Sequence, residues 1–304
     1  MELKLPYGLR DNELVTIDDV DSGLKCNCVC PHCKQRLIAR KGEVKEHHFA
    51  HYKVSDCGKA VETVTHRLSK DFIKEAKFFT TPPIFFPGTK VPIIEEAQVP
   101  IDDVKLESRL GFIVPDIIID SGTKSLIVEI RVTHGVDDEK TYKIRRLNLP
   151  AVEVFAGQLI KRLYTEKKYF LNDAEYKRIL IEESAYKRWI HNSRADEKIK
   201  QIKNELKNYC EEKEVKYLKF KFKDNDFDFY FDTSTKEMYY VDNCPINKRV
   251  WRGGRNKGLT YANYNQDCRY CKFNPDAGHS TPLPTKMNCA GHILEFSRLL
   301  KSLR

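Results

Sequence analysis

Two short apolar runs each carry a single carboxylate, and no other feature limits so strongly what this chain can fold into. Residues 112–119 are apolar apart from Pro115 and Asp116, and residues 126–133 are apolar up to Glu129. Unbroken apolar runs of this length read as strands buried on both faces. The turn signal Ser121-Gly122-Thr123 between them makes the two strands neighbours, so Asp116 and Glu129 can meet at one sheet edge. A carboxylate in such surroundings is costly unless a cation meets it. Two converging carboxylates with hard oxygen ligands suit Mg2+ or Mn2+, and an ion of that kind can activate water against a phosphate ester. Arg131 shares strand parity with Glu129 and is expected on the same face. It keeps its proton too tightly to act as a base, so its expected role is electrostatic. His134 and Lys140 follow, Lys140 on an expected helix. The plainer alternative is a structural ion pair between Arg131 and either acid.

The elements around these strands follow a clear order. Val61, Val64, Leu68, Phe72 and Ile73 recur at helical spacing, and the helix is expected to stop before Pro82-Pro83. Extended sequence over residues 91–106 precedes the two acid-bearing strands. Residues 137–147 read as a second helix, with Asp137 and Asp138 in its first turn and Lys143, Arg145 and Arg146 in its last. Residues 151–156 read as a final strand. The fold class is therefore α/β (α+β): helix, three strands, helix, strand. On the first helix Glu62, His66 and Lys70 step by four and share a face, which makes Glu62 a candidate third ligand and His66 and Lys70 supporting groups. A solvated charged stripe has the same pattern.

At 304 residues the chain is long enough for a core with appended modules. The expected division is 1–58, a Cys/His-rich hairpin module; 59–160, the core; 161–215, solvated charged helices with Tyr164, Tyr169, Tyr176, Tyr186 and Trp189 available for packing; and 216–304, a hairpin and a basic cysteine module. Leu218, Phe220 and Phe222, then Phe227, Phe229 and Phe231, alternate as a hairpin does. The net charge of +9 is concentrated near the C-terminus: residues 244–304 hold eleven Lys/Arg against three acids, leaving 42 basic and 41 acidic groups before them. A basic segment on a neutral body points to a polyanion, most simply nucleic acid, although a solubilising role gives the same count. No apolar run reaches membrane-spanning length. The N-terminal residues lack a signal-peptide core, so a cytoplasmic protein without a membrane partner is expected.

In that compartment the ten cysteines stay reduced, which favours metal ligation over disulfides. Cys30-x2-Cys33 with Cys57 and either His48 or His51 offers a structural zinc site. His51 is preferred because it is nearer Cys57, leaving His48 as a brace, and Cys26 and Cys28 add ambiguity. Four filled positions leave no room for water, so the role is structural. A second set is Cys244, Cys268-x2-Cys271 and Cys289, with His292 as a substitute ligand. Cys210 stands alone. Between Cys244 and Cys268, the basic residues Lys248, Arg249, Arg252, Arg255 and Lys257 surround Trp251, a pattern suited to phosphate contact with base stacking and equally seen in solvated loops.

The run Cys30-Pro31-His32-Cys33, then His48-Phe49-Ala50-His51, Cys57, Glu62, His66 and Lys70, resembles the CoiA-like competence family. Pro115-Asp116 with Glu129-Ile130-Arg131-Val132-Thr133-His134 and Lys140 is similar to the nuclease motif of that family, a branch of the PD-(D/E)xK nucleases. The resemblance covers roughly residues 24–156 and implies a restriction-endonuclease-like core of helix, three strands, helix and strand. It further implies Mg2+-dependent DNA cleavage in DNA uptake or anti-phage defence, with Asp116 and Glu129 as metal ligands. The motif's usual lysine is Arg131 here, so either Arg131 substitutes or Lys140 reaches in; if neither does, the fold persists without activity. Two other readings stay open: an inactive nucleic-acid-binding or adaptor protein, and an RNase. A partner protein or a second copy that gates cutting is expected, since an ungated nuclease endangers its host.

Overall fold

The computed structural model describes residues 4–53, 57–167, 173–219, 237–277, 283–293 and 295–303. The chain divides into two compact units, residues 1–83 with 95–193, and residues 84–94 with 194–304.

The first unit opens with two hairpins, β1 (Tyr7–Arg10) with β2 (Glu13–Thr16) and β3 (Leu37–Arg40) with β4 (His48–His51). Residues 41–47 join β3 to β4, as a Cys/His-rich hairpin module requires. Leu37, Ala39 and Phe49 from this second hairpin pack with Cys26, Cys28, Val64 and Leu68 in one small core. Helix α1 (Ala60–Lys74) carries the expected apolar face but stops well before Pro82-Pro83. The aromatic and β-branched residues after it form β5 (Phe78–Thr81) instead, which pairs with β8 (Ala97–Pro100). The intervening β6 (Ile84–Phe85) and β7 (Pro92–Ile94) pair with each other in the second unit.

Next come β9 (Asp103–Leu106), β10 (Ile117–Ser121), β11 (Lys124–Ile130), α2 (Asp138–Leu147), β12 (Ala151–Val154), α3 (Ala156–Lys167), α4 (Asp173–Glu182) and β13 (Lys187–His191). The five strands form one sheet in the order β13-β12-β11-β10-β9. β9, β10 and β11 are an antiparallel meander, and β12 returns parallel to β11 after α2. Strands β5 to β8 intervene after α1; β9, β10, β11, α2 and β12 then follow in the expected succession, with narrower limits. Residues 112–116 precede β10, where Pro115 cannot donate to a ladder. Asp137 caps α2 by accepting a hydrogen bond from the Lys140 N–H at 2.6 Å.

One sheet face, built on Ile117, Ile119, Leu126, Val128, Ile130, Val152 and Val154, is covered by α1, α3 and α4. The other face, with Ile127 and Ala151, packs on Ile144 of α2. The segment 161–215, read as solvated linking helices, is thus partly structural core. α4 buries Tyr176 completely, with its hydroxyl 2.6 Å from Ser69 Oγ, and β13 is the fifth strand. On α3 and α4, Lys161, Arg162, Arg178 and Glu182 are exposed while Leu163, Ile179 and Leu180 fill the core, an amphipathic division that charge content alone conceals. Tyr169 lies outside the described residues. Gly157 is required at the start of α3: a β-carbon there would lie 1.9 Å from the Val132 carbonyl oxygen. Any other residue would push α3 off the chain leaving β11.

In the second unit α5 (Ser193–Leu206) buries Ala195, Ile202 and Leu206 with Phe86, Phe296 and Leu300. β14 (Glu211–Glu214) pairs with β19 (Lys286–Cys289), while β15 (Lys216–Lys219), β16 (Glu237–Asp242), β18 (Thr260–Asn263) and β17 (Arg249–Val250) form a four-stranded antiparallel sheet in that order. The last helix is α6 (Phe296–Ser302). Of the expected hairpin, β15 and β16 pair antiparallel. Phe220, Phe222, Phe227, Phe229 and Phe231 lie outside the described residues. Among the described residues no helix is long and apolar enough to cross a membrane.

Candidate functional site

The antiparallel register of β10 with β11 pairs Ile117 with Val128, so one step further Asp116 faces Glu129. Asp116 Oδ2 accepts a hydrogen bond from the Ile130 N–H at 2.8 Å and lies 3.1 Å from His66 Nε2. His66 reaches it from α1. On the opposite side, Lys140 projects from the first turn of α2 and places Nζ 2.7 Å from Glu129 Oε2. The structure thus brings Asp116, Glu129, Lys140 and His66 together at one edge of the sheet.

Their electrostatics separate the two acids. Burial pushes the Asp116 carboxyl up, but His66, the Ile130 N–H and Lys140 outweigh it and hold the group below the usual carboxylate range. Glu129 is 3% exposed. Its burial, reinforced by the facing Asp116, outweighs the Lys140 ammonium and pushes the carboxyl up to about 7. Its second oxygen, Oε1, is buried and has no hydrogen-bond partner among the described residues. An orphan buried carboxylate oxygen is uncommon in a folded protein, and the carboxyl that carries it neighbours a second one, Asp116. That donor set fits a hard divalent cation.

A stability prediction follows for protein without added Mg2+ or Mn2+. Below the ordinary Glu range, both folded and unfolded chains hold the Glu129 proton, and the group contributes nothing. As pH rises from about 4.5 to about 7, the unfolded chain ionises first, so the group increasingly destabilises the fold. Glu129→Gln is expected to match wild type in urea unfolding near pH 4.5 and to exceed it by on the order of 2 kcal/mol at pH 8. Equal stabilities at pH 8 would remove the burial account.

The remaining candidates are distributed differently. Glu62 accepts a hydrogen bond from Thr133 Oγ1 at 2.5 Å and lines a groove with His48, His51 and Cys57, one turn of α1 away from His66. Lys70 is paired with Glu107 at 2.5 Å, and His134 is exposed in the loop before α2. Arg131 does not join Glu129. Its Nη1 lies 3.8 Å from Glu153 Oε2, and its guanidinium stacks 5.5 Å from the Phe155 ring centroid. The reason lies on the next strand: Glu153, in parallel register with Glu129, is fully buried and needs cations of its own. Arg188 at 2.7 Å and the Val136 N–H at 2.8 Å complete its set.

Sequence reading missed Glu107, Glu153 and Arg188. Glu107 adopts a left-handed backbone at φ 46°, its N–H donates to the Asp116 carbonyl at 3.1 Å, and Lys70 holds its carboxyl below the usual range. A charged residue in the otherwise apolar residues 151–154 was the available signal for Glu153.

The N-terminal ligands converge closely. One donor atom each from Cys30, Cys33, His51 and Cys57 all lie within 4.8 Å of one another. Cys30 Sγ is 3.5 Å from Cys57 Sγ, and Cys33 Sγ is 3.2 Å from His51 Nε2. Lys34, at φ 60°, turns the chain after Cys33. Burial pushes the Cys30 thiol up to about 12. Burial also raises Cys33, but the Gln35 N–H and the neighbouring thiols and His51 bring it down to about 7. Three thiols and an imidazole at these separations could hold zinc. His48 instead places Nδ1 2.8 Å from the Glu46 carbonyl oxygen, and Cys26 and Cys28 are fully buried core residues. His32 Nδ1 lies 3.0 Å from Thr63 Oγ1, tying the cysteine turn to α1.

In the second unit Cys244, Cys268, Cys271 and Cys289 line one small cavity. Two residues of the expected nucleic-acid surface are committed elsewhere. Trp251 is buried, stacked on Tyr261 at 4.1 Å and edge-on to Tyr240 at 5.3 Å, so it is a sheet-core residue and not a base-stacking platform. Arg249 forks onto Asp267 at 2.6 and 3.2 Å. Lys248, Arg252, Arg255 and Lys257 are exposed on the loop between β17 and β18 and its approach.

Residues 17–59 match the family model for the N-terminal domain of competence protein CoiA. No curated protein and no solved structure matches the chain. The matched segment contains all four residues of the N-terminal cysteine and histidine cluster and ends before α1. Over residues 17–59 the chain is therefore similar to the N-terminal domain of competence protein CoiA.

Proposed function

We propose that this protein is a Mg2+- or Mn2+-dependent nuclease that hydrolyses DNA phosphodiester bonds through Asp116, Glu129 and Lys140. The observation that carries the reading is the buried Glu129 beside Asp116, with an Oε1 that has no hydrogen-bond partner among the described residues and with Lys140 at 2.7 Å. A divalent ion held by the two carboxylates would supply water activation and charge stabilisation at the scissile phosphate. Asp116 stays ionised at neutral pH and is held in place by the Ile130 N–H and His66. Lys140 carries the positive charge that a departing oxyanion needs, in the role expected of either Arg131 or Lys140. Glu62 lies one turn of α1 from His66. Helix, three antiparallel strands, helix and parallel strand is also the order of the restriction-endonuclease-like fold.

The competence-family N-terminal domain supports a role in DNA uptake or processing, with genome defence as the other setting for such an enzyme. In this reading the site of three cysteines and one histidine holds structural zinc, and the chain works in the cytoplasm on DNA in preference to RNA, under the control of a partner or a second copy.

The test is cleavage of supercoiled and linear DNA in Mg2+ or Mn2+. Wild type is expected to cut, with Asp116→Ala and Glu129→Ala inactive although folded. Cleavage that persists in both variants removes the site. Binding without cleavage of DNA or RNA in any divalent metal supports an inactive adaptor, for which the commitment of Arg131 to Glu153 is the supporting observation.

A further inference from the structure

The second unit gathers four thiols from three distant stretches. Cys244 follows β16, Cys268 and Cys271 bracket a single helical turn after β18, and Cys289 ends β19. All four line one cavity with Pro245, Ala262, Asn274 and Met287. We propose that these four cysteines form a second structural zinc site, all-thiolate and tetrahedral, that fastens the stem of the exposed basic loop 248–257. The proposal is independent of the nuclease reading.

The backbone around the sulfurs is arranged for charge. The Gly291 N–H donates to Cys289 Sγ at 3.4 Å, and the Phe273 N–H is directed at Cys271. Each donor lies two residues beyond its cysteine, so two separate turns direct an N–H at sulfur. Such bonds gain most when the acceptor is ionised, as a metal-bound thiolate is. Gly291 has no side chain for a steric reason, since a β-carbon there would lie 2.8 Å from Pro245 Cγ. This lets the Cys289 turn close against the residue that follows Cys244. The buried Asn274 supports the other turn, donating from Nδ2 to the Cys268 carbonyl at 2.9 Å and from its N–H to the Cys271 carbonyl at 3.0 Å.

The apolar core beside the cluster is small: Val215, Val241, Ala262, Tyr264 and Met287 with the buried Cys244 and Cys268. A core of that size gains much from a metal staple. The competing ligands point elsewhere. His292 Nδ1 lies 3.9 Å from Glu211 and lines a different cavity. The Cys210 thiol donates to the Leu206 carbonyl at 3.3 Å. The four thiols are spread more widely than the N-terminal set, which is the one group of three or more donors within 4.8 Å among the described residues. With zinc–sulfur bonds of about 2.3 Å, loading draws β16, β18 and β19 together and stiffens the loop carrying Lys248, Arg252, Arg255 and Lys257.

Elemental analysis of the full chain tests this. Wild type is expected to hold about two zinc ions, Cys271→Ser and Cys33→Ser one each, and Cys210→Ser two. Zinc X-ray absorption on wild type needs no variant, and an average of about 3.5 sulfurs per zinc is expected from one site with three thiolates and one with four. A single zinc per wild-type chain, lost in Cys33→Ser and coordinated by three sulfurs and one nitrogen, would overturn the proposal, as would undiminished zinc in a folded Cys271→Ser.

Discussion

Lys140→Met is expected to slow Mg2+-dependent DNA cleavage by on the order of 10²–10³-fold, whereas Arg131→Ala leaves most of the rate. Both residues are candidates for the single cation beside the carboxylates, and only geometry separates them. Lys140 Nζ lies 2.7 Å from Glu129 Oε2, while Arg131 belongs to the cluster around Glu153 with Arg188 and Phe155. Methionine keeps the length and apolar stem of Lys140 and removes its charge, so the loss falls on electrostatics and not on packing. Arg131→Ala uncovers a buried carboxylate and is expected to lower the melting temperature while leaving turnover at low temperature near wild type. Rates from plasmid nicking at several metal concentrations, with melting curves for each variant, make the comparison. The reverse pattern, an inactive Arg131→Ala beside an active Lys140→Met, would move the site off Glu129.

Removing zinc from the N-terminal module is expected to unfold that module while the five-stranded sheet persists. Structural zinc contributes on the order of 10 kcal/mol of apparent binding free energy in small domains. The module's own core is Leu5, Tyr7, Cys26, Cys28, Leu37 and Phe49 packed on Val64 and Leu68 of α1, too little to hold two hairpins unaided. In hydrogen exchange, Cys33→Ser or chelation should remove protection from β1–β4 and leave β10, β11 and β12 protected. Cleavage should fall as well, because α1 carries His66, 3.1 Å from Asp116, and His32 ties the cysteine turn to the same helix. Unchanged protection in β3 and β4 after complete zinc loss would show that the thiols are core residues only.

What the sequence determined by itself is local. Asp116 and Glu129 are thirteen residues apart around a short turn, so their meeting follows from the antiparallel register of adjacent strands. Cys30 and Cys33 are brought together by their spacing, with His51 and Cys57 following one hairpin later. The α1 apolar stripe and the Asp137 cap of α2 were legible for the same reason, since helical period and capping depend on residues within one or two turns.

Tertiary structure decided the partners of long side chains. Strand parity gave the expectation that Arg131 accompanies Glu129, but it could not reveal that Glu153, on a strand returning after α2, would take the guanidinium. The same limit applies to Trp251, whose place in a loop suggested stacking on bases until Tyr261 and Tyr240 enclosed it. It applies also to Tyr176 and β13, which a run of charged residues disguised as linker. Each of these outcomes depends on which remote segment arrives alongside, and charges or rings pair with whatever packing places within a few ångströms.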